Sequence, residues 1–110
     1  MWFIFPQLKA LGKSDAAKFF GISDLVEARS YSEHHSLGSR LLECGKAVTF
    51  NKGKSATAIM GQIDALKLRF SATLFVHANP LSETGLLMDD ILEIFYHGQV
   101  CPVTTQELSR

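Results

Sequence analysis

The sequence lacks the charge excess that is typical of nucleic-acid-binding proteins. It carries 11 basic side chains (lysine plus arginine) and 11 acidic ones (aspartate plus glutamate), so the formal net charge is zero. A protein that binds nucleic acid through its phosphates usually has a basic excess on the domain. The charge balance therefore argues against nucleic acid as a partner.

Long hydrophobic runs are also missing. The most apolar stretch is the opening MWFIF, which ends at Pro6. A signal peptide needs roughly 7 to 15 consecutive apolar residues, and a membrane-spanning helix needs about 20. We therefore expect a cytoplasmic protein with no membrane association.

The sequence contains few metal-binding side chains in useful arrangements. Cys44 and Cys101 are the only cysteines, and they form no CxxC motif. We expect two reduced thiols, as is usual in a cytosol. His34 and His35 are adjacent, so we expect them to point in different directions, whereas ligands on one helix face lie about a turn apart. We predict neither a metal nor another cofactor.

What the sequence does contain is a series of helix signals. Serine, threonine or aspartate precedes most apolar segments, and glycine or Asn-Pro follows several of them, as at helix ends. The predicted helices cover residues 14–21, 23–31, 36–50, 55–61, 64–79 and 82–98, with a last turn from 104. We predict an all-α fold: a compact single domain over residues 1–110, made of about six or seven short helices packed at varied angles.

Two further motifs are interpreted as structural. The GKS that begins at Gly53 resembles the end of a phosphate-binding P-loop, but Val48 stands where that motif needs its first glycine. We interpret this stretch as a turn between helices, with Ser55 as a cap. The acidic residues at 89, 90 and 93 are interpreted as a solvated helix face.

The segment DALKLRFSATLF has an unusual distribution of polar residues. At 100° per residue, Asp64, Lys67 and Ser71 lie within about 60° of each other on a helix. Arg69 and Thr73 form a second polar strip, roughly 40° wide. Apolar residues occupy the angles between the two strips, so much of this helix should be buried.

The polar side chains of this helix have two interpretations. In the first, Lys67 pairs with Asp64 at i and i+3, and Arg69 extends its charged end to water. In the second, the two cations and the hydroxyls of Ser71 and Thr73 form a pocket suited to a carboxylate or phosphate. An unpaired buried cation is costly, so both interpretations supply a partner.

Three stretches of the chain resemble a known family. MWFIFPQLKALGKS, FFGISDLVEARSYSEHHSLGSRLLEC and DALKLRFSATLF are similar to the signature of domain of unknown function 1810, a mostly bacterial family whose members are sometimes labelled calpastatin-like. The resemblance implies a compact, mainly helical cytoplasmic fold and no established activity, substrate or cofactor. Because true calpastatin repeats are disordered until they bind, that label fits this folded composition poorly.

The resemblance also bears on the start of the chain. Family members carry a few dozen residues before this signature, including an amphipathic helix, so the resemblance implies an N-terminally truncated chain. We then expect the MWFIF segment to expose an apolar face and to promote homo-oligomers. The family's other motif positions map onto Trp2, Pro6, Gln7, Gly12, Arg40, Lys67, Arg69 and Ser71.

Two functions follow as expectations. The first is a site that binds a small anionic or nucleotide-like ligand through Trp2, Gln7, Arg40, Asp64, Lys67, Arg69 and Ser71. In this site Trp2 stacks, Gln7 offers an amide, and Ser71 and Asp64 orient the ligand or relay a proton. No nucleophile–base pair is evident, which favours binding over catalysis and leaves open whether the protein is an enzyme. The alternative is a protein-interaction or self-association module with no small ligand.

Overall fold

Six helices and no strand make up the part of the chain that the structure, a computed structural model, describes: residues 5–6 and 21–108. This confirms the predicted all-α class. The helices are α1 (Leu25–Glu33), α2 (Leu37–Phe50), α3 (Ala56–Met60), α4 (Gln62–Ala78), α5 (Glu83–Tyr96) and α6 (Pro102–Leu108). The helix predicted over 14–21 lies almost entirely outside the described residues.

Several helix boundaries differ from the predicted ones by one to a few residues. Asp24, rather than Ser23, caps α1, because its carboxylate accepts the N–H of Glu27 at 2.8 Å. Gly61 ends α3 and directly precedes α4, which therefore begins before the predicted Asp64. Helix α6 begins at Pro102, a residue favoured at the first helical position because it has no N–H to leave unsatisfied.

The start of α2 depends on a histidine ring. Nδ1 of His34 accepts the backbone N–H groups of Ser36 and Leu37, each at 3.1 Å, so the imidazole takes the place of a serine cap. The expectation that His34 and His35 point in different directions is wrong. Their rings stack with centroids 4.9 Å apart, because the turn between α1 and α2 brings them side by side.

Helix α4 lies at the centre of the domain. It packs against α1, α3, α5 and α6, while α2 packs against α1 and α5. Its buried apolar side chains meet those of α5 in one core, and burial of each large side chain stabilises the fold by about 1.5–3 kcal/mol. The fully buried large apolar side chains of these two helices are Leu68, Leu74, Phe75, Met88, Ile91 and Leu92.

The N-terminal stretch reaches this core at its described residues. Phe5 is 4% exposed and belongs to the same hydrophobic cluster as Ile22 and Leu41, and Pro6 is fully buried. Phe5 therefore does not contribute to the exposed apolar face expected for MWFIF. The rest of that segment lies outside the described residues, and truncation of the chain stays a prediction.

Two glycines let the helices approach closely. A Cβ added at Gly38 in α2 would lie 2.1 Å from the carbonyl oxygen of Ser32 in α1. A Cβ at Gly45 would lie 2.7 Å from the Leu87 side chain, where α2 crosses α5. The Gly38 neighbour is backbone and cannot move aside, so this position fixes how closely α1 and α2 approach.

We predict that Gly38→Ala lowers the free energy of unfolding by about 1–3 kcal/mol or more, because the new methyl group overlaps a backbone carbonyl. The gain in helix propensity, about 0.5–1 kcal/mol, is too small to offset this overlap. Gly53→Ala is the matched control, since no described atom lies within 4 Å of its added Cβ. Urea denaturation of both variants measures the difference, and equal stabilities would contradict the prediction.

Candidate functional site

The first polar strip of α4 runs from the surface into the core. Asp64 and Lys67 are half-buried, whereas Ser71, one turn beyond Lys67, is completely buried. Asp64 also lines an open surface cleft of about 470 Å³ with Met60 and Ile63. Charged groups thus lie at the outer end of the strip, and a hydroxyl lies at its inner end.

The hydroxyl of Ser71 is unusual because it is buried without a partner. Its Oγ has no hydrogen-bonding partner in the described part of the chain. A buried hydroxyl that makes no hydrogen bond costs about 1–3 kcal/mol. The Oγ1 of Thr104 in α6 is in the same condition, but no charged side chain of α6 lies one turn before it.

The side chains of the second strip of α4, Arg69 and Thr73, form hydrogen bonds within the protein. Oγ1 of Thr73 donates to the carbonyl of Arg69 at 2.8 Å and accepts the N–H of Cys101 at 2.9 Å. The Arg69 side chain donates to the carbonyls of Gln99 and Val100, at 3.1 and 2.8 Å. This strip therefore holds the segment between α5 and α6 against α4.

Tyr96 adds to this junction from the end of α5. Its hydroxyl donates to the carbonyl of Ala65, and the Arg69 guanidinium lies 6.0 Å from the centre of its ring. Burial raises the pKa of the Tyr96 phenol to about 12, and the positive charge of Arg69 opposes this only in part. A neutral tyrosine is thus part of the packed structure.

The structure separates the residues predicted for one site. Arg69 and Ser71 are two residues apart on α4, about 200° around the helix, so their side chains leave opposite sides. Arg69 is engaged with backbone carbonyls, and Ser71 lies on the strip of Asp64 and Lys67. Trp2 and Gln7, also predicted for this site, lie outside the described residues.

Arg40 is linked to α4 only indirectly, by its electrostatic effect on Tyr31. It is exposed on α2, and its charge lowers the pKa of Tyr31, which burial raises more strongly and Cys44 raises further. The Tyr31 ring lies 5.8 Å from that of Phe75, one turn beyond Ser71. Our sequence reasoning missed Tyr31, although its i+3 spacing from Ala28 in α1 signals an inward-facing residue.

The described residues offer no metal site and no membrane span. Within residues 5–6 and 21–108, no group of three or more His, Cys, Asp or Glu side chains could hold a metal ion. No helix in this part of the chain is long and apolar enough to cross a bilayer.

Fold and surface together define a compact helical domain built around one largely buried helix. The chain belongs to the family described as "Protein of unknown function (DUF1810)", which matches residues 1–108. It is similar to the crystal structure of the conserved hypothetical protein Rv1873 from Mycobacterium tuberculosis, with 39% sequence identity and a TM-score of 0.91. That match covers 99% of this chain and 76% of the other. None of the curated proteins compared with the chain matches it.

The contrast between the two hydroxyls of α4 gives a stability prediction. Ser71→Ala should leave the free energy of unfolding unchanged or raise it, because it removes a buried hydroxyl that lacks a partner. Thr73→Val keeps the shape but leaves the Cys101 N–H without its acceptor, which should cost about 1–3 kcal/mol. Denaturant unfolding of both variants measures the difference, and a larger loss for Ser71→Ala would show that its hydroxyl is bonded within the fold.

Tyr96 gives a prediction about alkaline pH. Its pKa in the folded protein, about 12, lies above its ordinary value of 10.0. The contribution of the Tyr96 phenol to the free energy of unfolding is therefore complete below pH 10, where the folded and unfolded states both keep the proton. This contribution is lost as the pH rises through about 12. We expect Tyr96→Phe to unfold less steeply than the wild type over this range, measured by circular dichroism. Parallel curves for the two proteins would contradict the assignment.

Proposed function

We propose that this domain binds a small anionic or nucleotide-like ligand at the strip of Asp64, Lys67 and Ser71 on α4. The observation that carries the proposal is the Ser71 hydroxyl, fully buried and without a partner in the described part of the chain. A ligand oxygen that forms a hydrogen bond with this hydroxyl offsets the free-energy cost of burying the hydroxyl without a partner. The free energy of that bond then contributes to binding.

The charges along the strip support an anion. Lys67 lies one turn from Ser71, so an ammonium and a hydroxyl can donate to one carboxylate or phosphate group. Asp64, a further turn out and half-buried, would orient a ligand hydroxyl or amine. Arg40, close to Tyr31, would add positive charge from α2. Trp2 and Gln7 belong to the proposal through the resemblance to the family.

The proposal is for binding rather than for catalysis. A serine nucleophile needs a base within hydrogen-bonding distance, and no described residue bonds to the Ser71 hydroxyl. Arg69 is assigned to the fold, since its guanidinium already bonds to two backbone carbonyls. The hydroxyl is then a recognition group for the ligand.

Native mass spectrometry followed by denaturation of the same sample tests this proposal. We expect the wild type to carry an added mass that disappears on denaturation, and we expect Lys67→Ala and Ser71→Ala to lack it. Lys54→Ala, in the exposed turn after α2, is the matched control for the lost charge and should keep the added mass. Circular dichroism checks that each variant remains helical.

Titration with adenosine monophosphate and with inorganic phosphate, followed by calorimetry, complements the mass measurement. Ser71→Ala should weaken binding of an accepted probe at least about tenfold, because one hydrogen bond to a charged group is lost. Equal affinities for the wild type and Ser71→Ala would contradict the proposed site. Unfolding of Lys67→Ala would assign Lys67 to the fold.

The second candidate, a protein-interaction module with no small ligand, is favoured by a separate observation. The Phe50 side chain at the end of α2 is 90% exposed. Large apolar side chains at such exposure cluster at protein–protein contacts when they lie beside an apolar groove. That surface is distinct from the α4 strip and can be tested independently of it.

A further inference from the structure

A groove runs between α2 and α5 on the outside of the domain. Its volume is about 460 Å³, and it is lined by Lys46, Thr49, Phe50, Lys52, Leu87, Asp90 and Ile94. Phe50 is 90% exposed and Ile94 is 40% exposed, so the groove presents an aromatic ring beside an apolar wall. Burial of this exposed ring against a partner would be favourable in free energy.

The packing of α2 on α5 explains why the groove has this form. Leu87 lies directly over Gly45, where α2 has no side chain, and so forms part of the groove's lining. An ion pair of 3.4 Å between Lys46 and Glu83 joins the two helices beside it. Both walls are therefore helices, which hold the exposed ring and the apolar wall in a fixed relation.

The charges at the rim are of opposite sign. Lys52 follows the end of α2, and Asp90 lies on α5. Neither side chain forms a hydrogen bond or an ion pair among the described residues. One surface thus carries a projecting ring, a groove wide enough to take a side chain, a free cation and a free anion. A partner that fits all four features must offer a groove to the ring, an apolar side chain to the groove, an anion to the cation and a cation to the anion.

The geometry points to a second copy of this chain as the occupant of the α2–α5 groove. In a two-fold symmetric contact, each contact between residue i of one copy and residue j of the other occurs a second time with the copies exchanged. Phe50 of each copy then enters the groove of the other, against Leu87 and Ile94. In this arrangement we expect Lys52 of one copy to pair with Asp90 of the other, twice. A net charge of zero leaves no overall repulsion between the copies.

Sedimentation velocity over roughly 1 to 500 μM, a range that covers weak contacts, measures this association. The wild type should rise from the 12.2 kDa of one chain towards twice that mass. Phe50→Ser should weaken the dimer by about a hundredfold or more, because each dimer loses two buried rings. Its exposed position keeps the helical circular dichroism unchanged. Leu81→Ser is the matched control, since Leu81 is 89% exposed in the α4–α5 turn, outside the groove.

Charge reversal separates this arrangement from a nonspecific apolar contact. Lys52→Glu and Asp90→Lys should each weaken the dimer severalfold, and the double variant should restore it, because the two rim charges then attract again. Ser71→Ala should dimerise over the same concentration range as the wild type, which keeps this test independent of the ligand proposal. A wild type that is monomeric at every concentration contradicts the inference. So does a dimer that Phe50→Ser leaves intact, or a double variant as weak as either single one.

Discussion

Helix α4 passes through the middle of the domain, so every buried polar group on it must find a partner inside the protein or be stabilised in some other way. Four neighbouring helices pack against α4, and seven of its residues are buried. Two of those buried residues, Ser71 and Thr73, carry hydroxyls. The arrangement of the rest of the structure follows from how the polar groups of this helix are satisfied.

The two polar strips of α4 are satisfied in different ways. Arg69 and Thr73 bond to the segment that joins α5 to α6, and Tyr96 bonds back to the α4 carbonyl of Ala65. These contacts hold together parts of the chain about 30 residues apart. On the other strip, Ser71 has no such partner in the described residues, and we propose that its hydroxyl binds a ligand. One side of the helix therefore supports the fold, and the proposed ligand site lies on the other.

Local sequence signals predicted much of the fold and only part of the site. Spacing at 100° per residue was enough to find the burial of α4 and its two strips, and Ser55 and Ser82 cap helices as predicted. The partners of Arg69 were not predictable, because they are backbone carbonyls at residues 99 and 100, which have no sequence signature. The cap formed by His34 was not predicted either, because serine is the usual acceptor at the start of a helix.

The proposed ligand site depends most on what the Ser71 hydroxyl contacts. A high-resolution crystal structure of the protein, purified without added ligand, measures this directly. The proposed site predicts electron density of a bound molecule with an oxygen atom about 2.5–3.0 Å from Ser71 Oγ. It is contradicted if Ser71 Oγ instead donates to the carbonyl of Lys67, one turn back in its own helix, with no bound molecule beside it.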